Sequence, residues 1–266
     1  MSAPKRRNDR GARKFGGFRP RRPGAPESGF EWLWGRHAVE AALANPRRDG
    51  FERLLLGPGK TVQATGGPTP ESLDNGEISR LLPTGAVHQG YALLARPLEP
   101  VTIQAMATPA SGVILMLDQV SDPQNIGAIL RSAAAFGARG LVLQDRHAPA
   151  LAGVLAKAAA GAVDVTPVAR VVNLSRALEE LSGLGWRSVG LDGAAGQTLD
   201  QVLDGSATVL VLGSEGEGLR RLVAEHCDAT ARIAMAGGFE SLNVAAAAAV
   251  ALHEAVRLAG SASRAP

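Results

Sequence analysis

GVILMLDQVSDPQNIGAILRSAAAFGARGLVL, residues 112–143, decides the fold. Its two apolar runs, 112–117 and 140–143, are short and bounded by turn residues, the pattern of buried strands. Between them Ile126, Ile129, Leu130, Ala133, Ala134 and Phe136 recur at helical spacing, which predicts a helix over 125–136. Asn125 is placed to cap that helix. Gly127 has no Cβ, so a ligand or another chain can approach the first turn. Arg131 is a charged residue on a helix otherwise made of small and aliphatic side chains. A surface arginine is its ordinary explanation. A helix N-terminus also favours anions, and an arginine beside it fits a phosphate clamp.

The same alternation continues downstream. It predicts helix 149–159, strand 163–166, helix 173–182, strands 187–191 and 207–212, helix 218–225, a short strand at 230–233 and a long helix at 242–259. Repeated β–α units of this length imply an α/β fold, a parallel sheet with helices on both faces. Ligands of such sheets bind beyond the carboxyl ends of the strands. Upstream, residues 31–45 open with aromatics and a glycine and then run as a helix, and with strand 51–57, a loop at 58–76, a short helix in 76–85 and strand 86–98 they make a small α+β unit, residues 30–98. Residues 99–111 read as a linker, 112–260 as the main domain and 261–266 as a tail.

Charge is unevenly placed. Residues 1–23 hold nine basic side chains, among them Arg6, Arg7, Arg10 and Arg13, and one acid, Asp9; the other 243 residues carry 19 basic against 24 acidic groups. A Gly/Pro/Arg-rich stretch cannot bury a core, so residues 1–29 are expected to be a disordered tail. Such a tail suits either a salt-dependent nucleic-acid arm or a solvated extension. The single cysteine, Cys227, excludes a disulfide framework and a multi-cysteine metal site, so a reducing, cytoplasmic setting and no metal are expected. No apolar run reaches the roughly 18–20 residues of a membrane span. His37, His88, His147, His226 and His253 lack metal-ligand spacing.

Two further loops follow strand ends. VLVLGSEGEGLRR (209–221) spaces its glycines as G-x-x-G-x-G, which is neither a dinucleotide fingerprint nor a P-loop. A nicotinamide or ATP reading therefore fails on spacing. In RIAMAGGFESLNVAAAAAV (232–250), Ser241 is a natural N-cap for the alanine-rich helix, while Asn243 is a poor helix former with no evident structural task.

Taken together, N-x-G-x-x-x-R-x-A (125–133), G-S-E-G-x-G (213–218) and S-L-N-V (241–244) resemble the three ordered motifs of the SpoU-type RNA ribose 2′-O-methyltransferases of the SPOUT superfamily. WGRHAVEAAL (34–43) and HQG (88–90) resemble the small RNA-binding domain fused to many members. Within the family the likeness is strongest to enzymes acting on a guanosine of large-subunit rRNA, with the tRNA guanosine enzymes as near relatives. The resemblance implies a C-terminal deep trefoil knot, a homodimer and S-adenosylmethionine as cofactor. It implies that Gly213, Gly216, Ile233, Met235 and Leu242 hold that cofactor. It implies that Asn125, Arg131, Glu215, Ser241 and Asn243 serve catalysis, with Arg131 at the ribose and phosphate. Arg36, His88, Arg131 and the basic tail would meet RNA. An RNA-binding protein of the same fold without activity remains an alternative. The long basic tail and the alanines of KAAAGA (157–162) depart from the family pattern.

Overall fold

The computed structural model describes residues 29–63, 66–236 and 241–262. Arg6, Arg7, Arg10 and Arg13 lie outside the described residues.

The chain first builds a four-stranded sheet. Strand β1 (Glu31–Trp34) leads into helix α1 (Arg36–Ala44), followed by β2 (Phe51–Leu56), β3 (Pro70–Ser72), α2 (Asn75–Leu81) and β4 (Tyr91–Ala95), with strand order β1-β4-β2-β3. The five residues of β4, YALLA, are all buried, as its central place requires. Side-chain alternation sends Leu33 and Leu93 to the face covered by Val39, Ala42 and Leu43 of α1. It sends Trp32, Leu55 and Leu94 to the face covered by Ile78 of α2.

The larger sheet follows. Its elements are α3 (Ile103–Ala107), β5 (Val113–Leu117), α4 (Pro123–Ala135), β6 (Gly140–Gln144), α5 (Gly153–Ala159), β7 (Val168–Val171), α6 (Leu174–Gly183), β8 (Arg187–Leu191), α7 (Leu199–Val202), β9 (Thr208–Leu212), α8 (Arg221–Glu225), β10 (Ala229–Ala231) and α9 (Val244–Ala262). The strand order is β10-β8-β9-β5-β6-β7 and every pairing is parallel. β5 and β9 are buried along their whole length, which is why they read as unbroken apolar runs. Leu115, Leu117, Leu210 and Leu212 pack under α4, α5 and α9. Ile114, Met116, Val209 and Val211 pack under α3 and α6. The chain leaves β5 for β6 on one side and later lays β9 on the other, which opens a crevice above the carboxyl ends of β5 and β9.

Several expectations are corrected. Residues 162–164, which overlap the start of the expected strand 163–166, form a 3-10 turn, and the strand is Val168–Val171. Ala160 and Gly161 both adopt positive φ, which turns the chain, and Asp164 is drawn inward by Arg48 and Asn45. The stretch 99–111 is no bare linker: Ile103, Met106 and Ala107 of α3 are buried against the large sheet. Helix α4 starts two residues early. Its N-cap is Asp122, which accepts from the amide of Gln124 at 3.0 Å, with Pro123 in the first turn. Gly127 faces α5 rather than a ligand; a Cβ there would lie 2.5 Å from the Ala158 Cβ and 2.8 Å from the Leu155 carbonyl oxygen. Helix α8 holds only residues 221–225 of the expected 218–225.

Candidate active site

Three loops leave the carboxyl ends of β5, β9 and β10, and their polar residues converge. Glu215 Oε1 accepts from Asn243 Nδ2 at 2.6 Å, from Asn125 Nδ2 at 3.1 Å and from the Val244 amide at 3.4 Å. Asn243 Nδ2 also donates to Asn125 Oδ1 at 3.1 Å. The other end of the same side chain caps α9: Asn243 Oδ1 accepts from the amides of Ala245 (3.0 Å) and Ala246 (3.4 Å). The cap of α9 is therefore Asn243, not Ser241, because the helix begins at Val244. The Glu215 carboxylate thus sits at the positive end of a 19-residue helix, a favourable place for an anion.

Sequence separation within this cluster is 118 residues between Asn125 and Asn243 and 90 between Asn125 and Glu215. A compact loop makes the approach possible. At Gly213 a Cβ would fall 2.1 Å from the backbone of Gly218, so only glycine lets the loop fold back on itself, and Ser214 and Gly218 form a β-bridge across it. The far end of the loop is fastened by a pair that sequence reasoning missed. Asp118, fully buried at the end of β5, accepts from the Arg220 amide at 2.9 Å and from Arg220 Nε at 2.7 Å. Arg220 Nη2 reaches Asp118 at 2.6 Å and Gln144 Oε1 at 3.0 Å. The signal was a carboxylate closing an apolar strand, but its partner lies 102 residues away and no local pattern names it.

Arg131 is exposed on α4 and makes no hydrogen bond or ion pair among the described residues. Glu215 is bonded to the two asparagines rather than to Arg131. Ser241, Leu242 and Met235 are exposed on the loop before α9, Ile233 is half-buried, and Gly216 is exposed with φ 90°. Arg36 and His88 belong to the four-stranded unit and not to this cluster. Arg36 is exposed and bonded to Glu40 at 3.0 Å. His88 is buried: Nδ1 accepts from the Gly90 amide at 3.0 Å, and Nε2 lies 3.0 Å from Ser79 Oγ. The Ser79 hydroxyl donates to the Asn75 carbonyl, so the ring carries its proton on Nε2. Burial holds the His88 pKa below its ordinary value.

Chemically, the cluster offers one fixed carboxylate and two amides, and the Arg131 guanidinium, unpaired among the described residues, lies further along α4 from Asn125. Glu215 Oε2 accepts no hydrogen bond among the described residues. Apolar Leu242, next to Asn243 in the chain, is left in contact with solvent, and so is Met235 on the same loop; such side chains fit a ligand that is part apolar and part charged. Burial, with the charges of Asp228 and Asp118, pushes the Cys227 thiol up to about 12, which disfavours the thiolate. No group of three metal-ligating side chains occurs among the described residues, and no described helix is long and apolar enough to cross a membrane.

Residues 112–253, which contain all three loops, match the SpoU rRNA Methylase family. The chain belongs to that family. Among curated relatives, an uncharacterized tRNA/rRNA methyltransferase of Mycolicibacterium vanbaalenii is 41% identical over 186 residues, 68% of this chain and 59% of the relative. One from Synechocystis is 37% identical over 251 residues, 88% of this chain and 64% of the relative. The chain thus spans about three-fifths of the length of the curated relatives it matches. Among solved SpoU-like folds, an AdoMet-bound rRNA methyltransferase from Sinorhizobium meliloti superposes with a TM-score of 0.70 at 26% identity, covering 87% of this chain and 88% of that one. The parallel α/β architecture is therefore that of the family.

Proposed function

We propose that this protein transfers a methyl group from S-adenosylmethionine to a ribose 2′-OH of RNA, with a guanosine of large-subunit rRNA as the target. The carrying observation is the hydrogen-bonded meeting of Asn125, Glu215 and Asn243 above β5 and β9, with Arg131, unpaired among the described residues, further along the helix that begins at Asn125's turn. Family membership and the AdoMet-bound relative from Sinorhizobium meliloti support the same reading. The reading includes a threaded, knotted C-terminal segment, pairing of two copies, and RNA contacts from the four-stranded unit and the basic tail. It also places the protein in the cytoplasm.

Gly213, Gly216, Ile233, Met235 and Leu242 would hold the cofactor, glycines by backbone approach and the others by apolar contact. Bound, it supplies an already activated methyl carbon. What remains for the chain is alignment of the hydroxyl and removal of its proton. Asn125 and Asn243, locked by Glu215, give the crevice a fixed set of polar groups. Glu215 Oε2 is the open carboxylate oxygen and receives the hydroxyl proton. Arg131 supplies a guanidinium. It pairs with the RNA phosphate and stabilises the developing oxyanion. Ser241 contacts the substrate at the mouth.

The test is methyl transfer from labelled S-adenosylmethionine to purified large-subunit rRNA and to bulk tRNA, followed by nucleoside analysis. Label in 2′-O-methylguanosine from rRNA supports the reading as stated. Label in tRNA keeps the chemistry and replaces the target, which the names of the curated relatives also allow. Cofactor binding with no transfer to either RNA favours a silent RNA-binding protein. Arg131→Ala is expected to abolish transfer with cofactor affinity intact.

A further inference from the structure

We propose a second RNA subsite in the groove between the start of α6 and the start of α8, which takes a backbone phosphate of the bound strand and packs its neighbouring nucleoside between Val172 and Leu222. The inference rests on the RNA reading above and adds a place to it.

The groove is a cavity of about 380 Å³ lined by Val172, Asn173, Ser175, Arg220, Arg221 and Leu222. It lies at the carboxyl ends of β6 and β7, on the same edge of the sheet as the Asn125–Glu215–Asn243 cluster. One loop joins the two places, with Glu215 near its beginning and Arg220 at its end. A strand that reaches Glu215 therefore finds the groove as the next recess along the sheet edge.

Its chemistry is that of a phosphate with an apolar neighbour. Arg221 has a side chain 78% exposed, and its one ion pair among the described residues is with Glu225, a turn further along the same helix. Exposed pairs of this kind contribute little, so Arg221 can exchange Glu225 for a phosphate at little cost. Arg220 is held in place by Asp118 and forms a fixed wall. Helix α6 has ten residues and points its first turn at the groove. First-turn amides have no partner within their own helix, and Asn173 Oδ1 satisfies only that of Arg176. Above this floor stand two apolar side chains, Val172 at 83% exposure and Leu222 at 56%. Nothing in the packing of the described residues requires either to be apolar. Outside its first 23 residues the chain carries more acids than bases, so arginines gathered here are not a reflection of general basicity. Phosphate contacts of this kind fix the register of a nucleic acid rather than read its sequence.

Two surface variants test the proposal, and neither touches the core: Arg221→Glu and Val172→Asp. Filter binding to large-subunit rRNA and to bulk tRNA is measured over a salt series, beside thermal unfolding, S-adenosylmethionine affinity and methyl transfer. Arg221→Glu is expected to weaken binding of the substrate RNA about tenfold and to reduce the salt slope by about one ion, with unfolding and cofactor affinity unchanged. Val172→Asp is expected to weaken binding of the same RNA. If the wild type methylates RNA and both variants match its affinity and salt slope, the groove proposal is overturned and the activity stands. If the wild type neither binds nor methylates either RNA, both fall. Loss of capture of a protein partner, with RNA affinity unchanged, also overturns it.

Discussion

At the scale of single residues, Asn243 does two jobs with two ends of one side chain, and substitutions can separate them. Its Oδ1 caps α9, and its Nδ2 holds Glu215. Asn243→Ala removes both, costing about 0.5–2 kcal/mol for the cap alone. Asn243→Ser keeps an N-cap acceptor but cannot make the same Nδ2 bond. Denaturation of Asn243→Ser is expected near the wild-type midpoint while methyl transfer stays depressed at least about tenfold; wild-type turnover in that variant would remove Asn243 from the site. Gly127 is a packing residue, not a ligand portal. Gly127→Ala drives a methyl into Ala158 and the backbone of α5 and is expected to lower stability by about 1–3 kcal/mol in a urea titration. His88 supplies a pH dependence. Its neutral ring is the form that fits the fold, so the unfolded chain binds the proton more readily. The contribution is fully present above the ordinary value of 6.5 and is lost as pH falls below that toward the depressed value. Wild type should therefore lose more stability than His88→Gln between pH 7.5 and pH 5. The sequence already placed Asn125, Glu215 and Asn243 at strand ends, because strand ends are where such sheets bind. It did not show which of them caps a helix. At α4 the expected cap is Asn125, and the cap in place is Asp122, followed by Pro123 in the first turn.

At the scale of elements, the loop between β9 and α8 is shaped at both ends, and its far fastening controls its near chemistry. Asp118 fixes Arg220 through backbone and side chain together, so the loop cannot slide without breaking a buried charge pair. Asp118→Ala is expected to cost about 2–3 kcal/mol, below the usual penalty for a fully buried pair because Arg220 can turn toward water. The sharper readout is functional. A loosened loop should weaken S-adenosylmethionine binding in calorimetry even at temperatures where the variant is folded, and undiminished affinity would show that the pair serves stability alone. Elements were most legible where burial imposes a long pattern, as in β5, α4 and β9. They were least legible where a few residues decide. Val163 and Val165 look like strand, yet Gly161 and the inward pull on Asp164 wind that stretch into a turn. Helix α3 spans five residues, less than two turns, so its Ile103 and Met106 show no period to read.

At the scale of the whole molecule, the four-stranded unit is joined to the large sheet by a buried ion pair, and this decides how the chain unfolds. Arg48 Nε lies 2.7 Å from Asp164 Oδ1, with side chains 3% and 2% exposed. Asn45 Nδ2 donates to the same carboxylate at 3.0 Å, and Arg48 Nη1 donates to the Arg96 carbonyl at 2.9 Å. Around them one apolar cluster runs through both units, from Leu33 and Leu93 to Leu115 and Leu212. Lys157 of α5 adds a bond to Gln89 Oε1 at 2.8 Å. Two units sharing a core and a buried charge should unfold in one transition. Asp164→Ala leaves the Arg48 guanidinium buried without its counter-charge and is expected to cost about 3–5 kcal/mol. The pair is not ideal, however, since Arg48 Nη2 is buried with no acceptor among the described residues. Removing both charges should therefore recover part of the loss. The double variant Arg48→Met with Asp164→Leu is expected to be more stable than Asp164→Ala, with a single transition and an unchanged slope in urea. A double variant as unstable as the single one would show that Asn45 and the Arg96 carbonyl, not the charge, hold the units together. Two separated transitions in the wild type would show instead that the shared core does not couple them.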